Sequence, residues 1–91
     1  MLPDKYGVRL NSNYFRKVKS HAVVSIDYDE RLKMIEIEFV NKEVYHYLNT
    51  NHKEWNKFIE FSNKGEGLGA YINQVFKKKH DYYKLIDISD T

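Results

Sequence analysis

From Ile35 to Tyr47 the chain reads Ile-Glu-Ile-Glu-Phe-Val-Asn-Lys-Glu-Val-Tyr-His-Tyr. Apolar and charged side chains alternate as far as Phe39, the period of a strand with one buried face. Asn41-Lys42 interrupts the run, and Val44 to Leu48 resumes it with β-branched and aromatic residues. A β-hairpin with Tyr45-His46-Tyr47 on its second strand follows. The rest of the chain can be placed around it.

Upstream, Ala22, Val24, Ile26 and Tyr28 alternate with Val23, Ser25 and Asp27, giving a strand that ends at the polar turn Asp29-Glu30-Arg31. Three strands joined by such short connections predict an antiparallel meander. Asn51 with Glu54 three residues on has the spacing of a capping box, so a helix opens there. Trp55, Phe58 and Ile59 form its apolar stripe, and Ser62-Asn63-Lys64-Gly65 carries the chemistry that ends it. A second helix runs from about Leu68 to Lys79, with Leu68, Tyr71, Ile72, Val75 and Phe76 as its stripe. The fold class expected is α+β, a three-stranded antiparallel meander followed by two helices packed on one sheet face.

At 91 residues the chain is a single domain. Residues 1–19 read as an N-terminal extension, with a weak alternation of Tyr6, Val8 and Leu10 and enough apolar side chains to pack on the domain at least in part. Residues 20–84 form the domain. Residues 85–91 form a tail: Asp81 to Ile86 can add a short extended element, and the final Ser-Asp-Thr frays.

Cysteine is absent, which excludes disulfides, thiolate metal sites and cysteine nucleophiles and is compatible with a reducing compartment. No apolar run approaches the ~20 residues needed to span a bilayer, and the first residues lack the apolar core of a signal peptide. A soluble cytoplasmic protein with no membrane partner is expected. The net charge of +2 is unevenly spread: residues 1–20 and 51–79 are basic, 21–50 and the tail acidic. Nucleic-acid binding is thus permitted by charge without being imposed by it.

Several features together resemble the KTSC domain, a small bacterial module also found at the C-terminus of some lysyl-tRNA synthetases. Ser20 precedes the first strand and Tyr28-Asp29 closes it; Ile35 to Phe39 fills the second. Tyr45-His46-Tyr47 resembles the family's Tyr-x-Tyr, Ser62 to Gly65 its Ser-Lys-Gly element, and Tyr71-Ile72-Asn73 the step opening its last helix. The resemblance covers roughly residues 20–83. The chain departs from the pattern at His21, where a second Ser is usual, at Lys42, where Gly is usual, around Asn51, where Pro is common, and in extra residues near Glu66 to Gly69. The resemblance implies a small domain for which RNA binding has been suggested.

Tyr45 and Tyr47 share a strand face, and the turn decides which. A two-residue loop at Asn41-Lys42 pairs Phe39 with Val44 and puts both rings on the outer face beside Glu36 and Glu38. A three-residue loop, with Lys42 left-handed, pairs Ile37 with Tyr45 and Ile35 with Tyr47 and puts them at the core margin. Aromatic stripes on strands are usually packing, which favours the second arrangement. In the functional reading the rings are a platform on which single-stranded bases stack.

Lys77, Lys78 and Lys79, with Lys64 and the basic residues Arg16, Lys17 and Lys19, are candidate phosphate contacts; a solvated helix end is the plainer reading. Asn73 either bonds back to the Gly-rich loop or meets a ligand. Gly65-Glu66-Gly67-Leu68-Gly69 follows a helix rather than a strand and places Glu66 where an anion would sit, so it is a linker rather than a phosphate loop. His21, His46, His52 and His80 lack metal-ligand spacing, which predicts surface or capping roles and no metal or cofactor. Glu36 and Glu38 share a strand face, where they keep it wet or meet basic neighbours. The function expected is a non-enzymatic nucleic-acid (RNA) binding module using Tyr45, Tyr47, Lys64, Asn73, Lys77, Lys78 and Lys79. The alternative is a protein-interaction or self-association domain using the extension and the outer sheet face.

Overall fold

The computed structural model describes residues 1–89. It is an α+β fold built on one six-stranded sheet. The strands are β1 (Lys5–Gly7), β2 (Arg16–Lys17), β3 (Val23–Asp29), β4 (Met34–Phe39), β5 (Val44–Tyr47) and β6 (Tyr82–Asp87), in the spatial order β1-β6-β5-β4-β3-β2. The expected meander is β3-β4-β5, at the centre of this larger sheet. The sheet is wider than three strands because both ends of the chain join it. β6 pairs antiparallel with β5, with Val44 opposite Leu85 and Tyr47 opposite Tyr82. β1 then runs parallel to β6, which makes the sheet mixed. The backbone groups of the short, weakly alternating segment Lys5–Gly7 find their partners along the edge of β6.

The hairpin adopts the three-residue turn. Ile37 faces Tyr45 and Ile35 faces Tyr47 across the ladder, and Lys42 takes a left-handed φ of 73°. The Phe39 N–H donates to the Glu43 carbonyl and the Lys42 N–H to the Phe39 carbonyl, both at 2.9 Å, closing the bulge.

β3 departs from simple alternation. A bulge between Val23 and Ser25 shifts the register against β4. Val23 therefore turns into the core while Val24 is 36% exposed, the reverse of the expected facing. Beyond the bulge, Ile26 and Tyr28 face the core as expected.

Helix α1 (His52–Lys64) is capped by Asn51: the side chain accepts from the Glu54 N–H, and the Glu54 carboxylate accepts from the Asn51 N–H. Gly65, with φ of 76°, ends it in the left-handed conformation that costs glycine least. The second helix is not one regular helix. α2 (Leu68–Tyr71) passes through a π-helical turn (Ile72–Phe76) into a last α-helical turn, α3 (Lys77–Lys79). In the π turn the Lys77 N–H reaches back five residues to the Ile72 carbonyl. The wider turn rotates less per residue, so Val75 swings out of the expected stripe and is exposed while Phe76 stays buried beside Ile72.

The core lies between the helices and one sheet face. Ile26, Tyr28, Ile35, Ile37 and Tyr47 pack there against Trp55, Phe58, Leu68, Ile72 and Phe76. Gly69 sits where an added Cβ would lie 2.9 Å from the Ala22 Cβ, so the helix start closes tightly onto the entry to β3.

Candidate functional site

On the helix side, residues of β4, β5 and β6 and the π turn line a groove of about 430 Å³. Tyr45, Tyr47, Asn73 and Lys77 all line it, together with Phe39 and Tyr82. Four of the seven residues singled out in the sequence are thus brought together from β5 and the second helical segment. Lys78 and Lys79 line an adjoining hollow of about 310 Å³ that shares Lys77 and Tyr82 with the groove. Lys64 is not among the lining residues of either; its Nζ lies 5.9 Å from the Phe61 ring centroid at the other end of α1.

The two tyrosines differ. Tyr47 is 2% exposed. Its ring stacks on Tyr82 at 5.0 Å and packs against Phe76 at 5.1 Å, so its π faces are already covered. Burial raises its phenol well above the ordinary value. Tyr45 is half-buried, edge-on to Phe39 and to Tyr82, and its hydroxyl reaches Glu43. Burial first, and then the Glu43 charge, raise its phenol as well. The rings form the wall and floor of a groove rather than an open stacking platform.

Asn73 is exposed on the π turn, and its side chain makes no hydrogen bond among the described residues. The expected tether to the Gly-rich loop is therefore absent among the described residues, and Asn73 instead lines the groove. Lys77, Lys78 and Lys79 are exposed and have no ion-pair partner among the described residues, whereas Glu43 in the groove is bridged by Lys84 at 2.9 Å.

The other sheet face carries a buried polar network. Glu36 is 1% exposed and His46 is 3% exposed. His46 Nε2 lies 2.8 Å from one Glu36 oxygen, and its Nδ1 lies 2.8 Å from the Tyr83 hydroxyl. Both ring nitrogens of His46 are thus engaged, one with Glu36 and the other with Tyr83. Arg9, from the N-terminal arm, donates through Nε to Glu36 at 2.7 Å and through Nη1 to Glu38 at 3.3 Å. Burial alone would raise Glu36; hydrogen bonds from His46, Arg9 and the Leu10 N–H outweigh it and hold the carboxyl below its usual range.

Glu36 and Glu38 therefore do meet a basic neighbour. His46, in contrast, is neither a surface nor a capping histidine. His80 does sit at a helix end, the C-cap of α3, where it is half-buried and bonds the Leu48 carbonyl and Glu54. The sequence signal for this network was the pair of glutamates two apart with His46 on the facing strand. Nothing in it pointed to Arg9. Among the described residues no cluster of three or more His, Asp and Glu side chains is arranged to hold a metal ion, and no helix is long and apolar enough to cross a membrane.

The family model of the KTSC domain matches residues 19–82, well over half of the chain. The chain belongs to the KTSC domain family. Among solved structures it is similar to the crystal structure of a KTSC domain protein from Yersinia pestis, with 26% sequence identity and a TM-score of 0.61. That match covers 77% of this chain and 93% of the other. A search of curated proteins gave no match. Tyr45, Tyr47, Asn73 and the three lysines all fall within the KTSC region, while Arg9 and the rest of the arm lie before it.

Proposed function

We propose that this KTSC domain is a non-enzymatic module that binds single-stranded nucleic acid, most naturally RNA, in the groove between β5 and the π turn. The observation that carries this reading is the juxtaposition of half-buried aromatic edges, an unbonded amide and three adjacent lysines without ion-pair partners among the described residues, along two adjoining hollows that share Lys77 and Tyr82. In this reading a base enters against Tyr45 and Tyr82, Asn73 reads its edge, and Lys77 with Lys78 and Lys79 holds the flanking phosphates. Tyr47 supports the floor and does not stack on bases, and Lys64 contributes only general charge. A π turn suits the role because such turns recur at functional sites, and this one carries Asn73 and leads directly into Lys77. The buried Glu36–His46–Tyr83 set, with both ring nitrogens engaged, favours architecture over catalysis.

A salt series on a fluorescent single-stranded RNA tests this. With three lysines engaged, log K should fall against log salt with a slope of about −2. Lys77→Ala with Lys78→Ala should flatten that slope, and Lys64→Ala should leave it nearly unchanged. No binding at low salt, or a slope insensitive to these substitutions, would sink the proposal.

Self-association is a second reading. It is favoured by Tyr6, within the short edge strand β1, and Val8, just after it, which are exposed at 74% and 59%. Salt-insensitive dimers in sedimentation would support it.

A further inference from the structure

The N-terminal arm crosses the whole outer face of the sheet. β1 lies at one edge and β2 at the other, and residues 8–15 span the four strands between them. This crossing segment forms no strand ladder with what it covers. It is held from below by a set of acceptors. Arg9 reaches Glu36, Glu38 and, at 3.3 Å, the Ser25 hydroxyl. The Leu10 N–H donates to the second Glu36 oxygen at 2.9 Å, and the Ser12 N–H donates to Asp27 at 2.8 Å, with the Ser12 hydroxyl also on Asp27. Val8 and Phe15 stay largely exposed. Three carboxylates on the face are thus read by one guanidinium, two backbone N–H groups and one hydroxyl of an extended segment. That is the chemistry by which a receptor holds a peptide.

The division of the chain sharpens the point. Ser25, Asp27, Glu36, Glu38 and His46 all lie inside the KTSC region, and Arg9, Leu10 and Ser12 all lie outside it. We propose that the outer sheet face is a binding site for an extended, arginine-bearing peptide segment with a serine three residues after the arginine. Residues 8–14 of this chain are its resident occupant. The site is distinct from the groove on the helix side and stands or falls separately from it.

The test keeps the chain whole until it has folded. A specific-protease site is placed between Lys19 and Ala22, beyond the last arm strand, and the folded chain is cut there. A fluorescein-labelled peptide of residues 1–19 is then added in excess. The labelled peptide should exchange into the cut chain, seen as a rise in anisotropy. Its Arg9→Ala version should bind at least tenfold more weakly, its Ser12→Ala version should be weakened less, and the uncut chain should take up neither. Equal uptake of the wild-type and Arg9→Ala peptides would overturn the proposal. So would loss of the β-sheet dichroism on cutting, which would make the arm part of the core. Dimers of uncut chains with exchanged arms would assign the face to a second copy instead.

Discussion

Arg9 and Glu36 set the stakes at the level of single residues. Glu36 is almost wholly buried, and truncating a partner of a buried charge is costly because the remaining charge is left in a poor solvent. Glu36 would still keep His46 and the Leu10 N–H. Arg9→Ala should therefore destabilise the fold by about 2 kcal/mol, below the usual range for a fully orphaned ion. Urea denaturation at neutral pH measures it. The same carboxyl gives a pH signature. Held below its ordinary value of 4.5 when folded, it binds a proton less readily in the folded chain than in the unfolded one. Its contribution to stability is fully present above about pH 4.5 and is lost as the pH falls through the folded value. Glu36→Gln should make the urea midpoint less sensitive to acid over that window, and an unchanged acid profile would show that Glu36 is not the group being titrated. The sequence left two readings for Glu36 and Glu38, a wet face or one that meets basic neighbours, and Arg9 makes it the second. That the neighbour is Arg9 was not legible, because alternation gives the side a residue occupies, not what later covers it.

At the scale of elements, the hairpin and α1 follow from local chemistry. The Asn51–Glu54 box was readable from spacing, and Asn51→Ala should cost about 1 kcal/mol, seen as a lowered melting temperature. Asn41-Lys42 fits either loop length, and only the packing habit of aromatic stripes tipped the reading toward the three-residue turn. The facing of Ile37 with Tyr45 resolves it in favour of Lys42 left-handed. Lys42→Gly should relieve that conformation and stabilise the chain by roughly 0.5–1 kcal/mol, whereas Lys42→Val should destabilise it. Thermal melts of the two variants would move in opposite directions. The bulge in β3 and the π turn were invisible, for a common reason. Each adds one residue to a regular repeat, so the sequence before and after keeps its period while the phase slips. Val24 and Val75 are the residues on which that slip shows, both exposed where simple periodicity buries them.

For the whole molecule, both faces of the sheet are covered, the one by helices and the other by the arm. A sheet-based platform of open aromatic rings is therefore not what this chain presents, although Tyr45 and Tyr47 sit on one strand face as their spacing requires. What the fold assembles instead is a groove at the margin, in which residues about thirty positions apart in sequence meet. Asn73 and Lys77 could be named from the sequence, but their adjacency to Tyr45 depends on how the π turn docks against β5. Tyr82 was missed as a groove residue because the segment carrying it read as a possible short extended element near the end of the chain rather than as the partner strand of β5. Residues 8–14 of the arm and the helix-side groove lie on opposite faces of one sheet, although the start of the arm reaches the groove, where Met1 lines it and the Leu2 N–H donates to the Tyr82 carbonyl at 2.8 Å.

Chemical-shift mapping of the ¹⁵N-labelled chain with a short single-stranded RNA at low salt tests the central claim most directly. Binding in the groove predicts shifts that saturate together at Tyr45, Asn73, Lys77, Lys78 and Tyr82, with Arg9, Glu36 and Lys64 unmoved. Shifts confined to the arm and outer face, or no shifts at all, would contradict it.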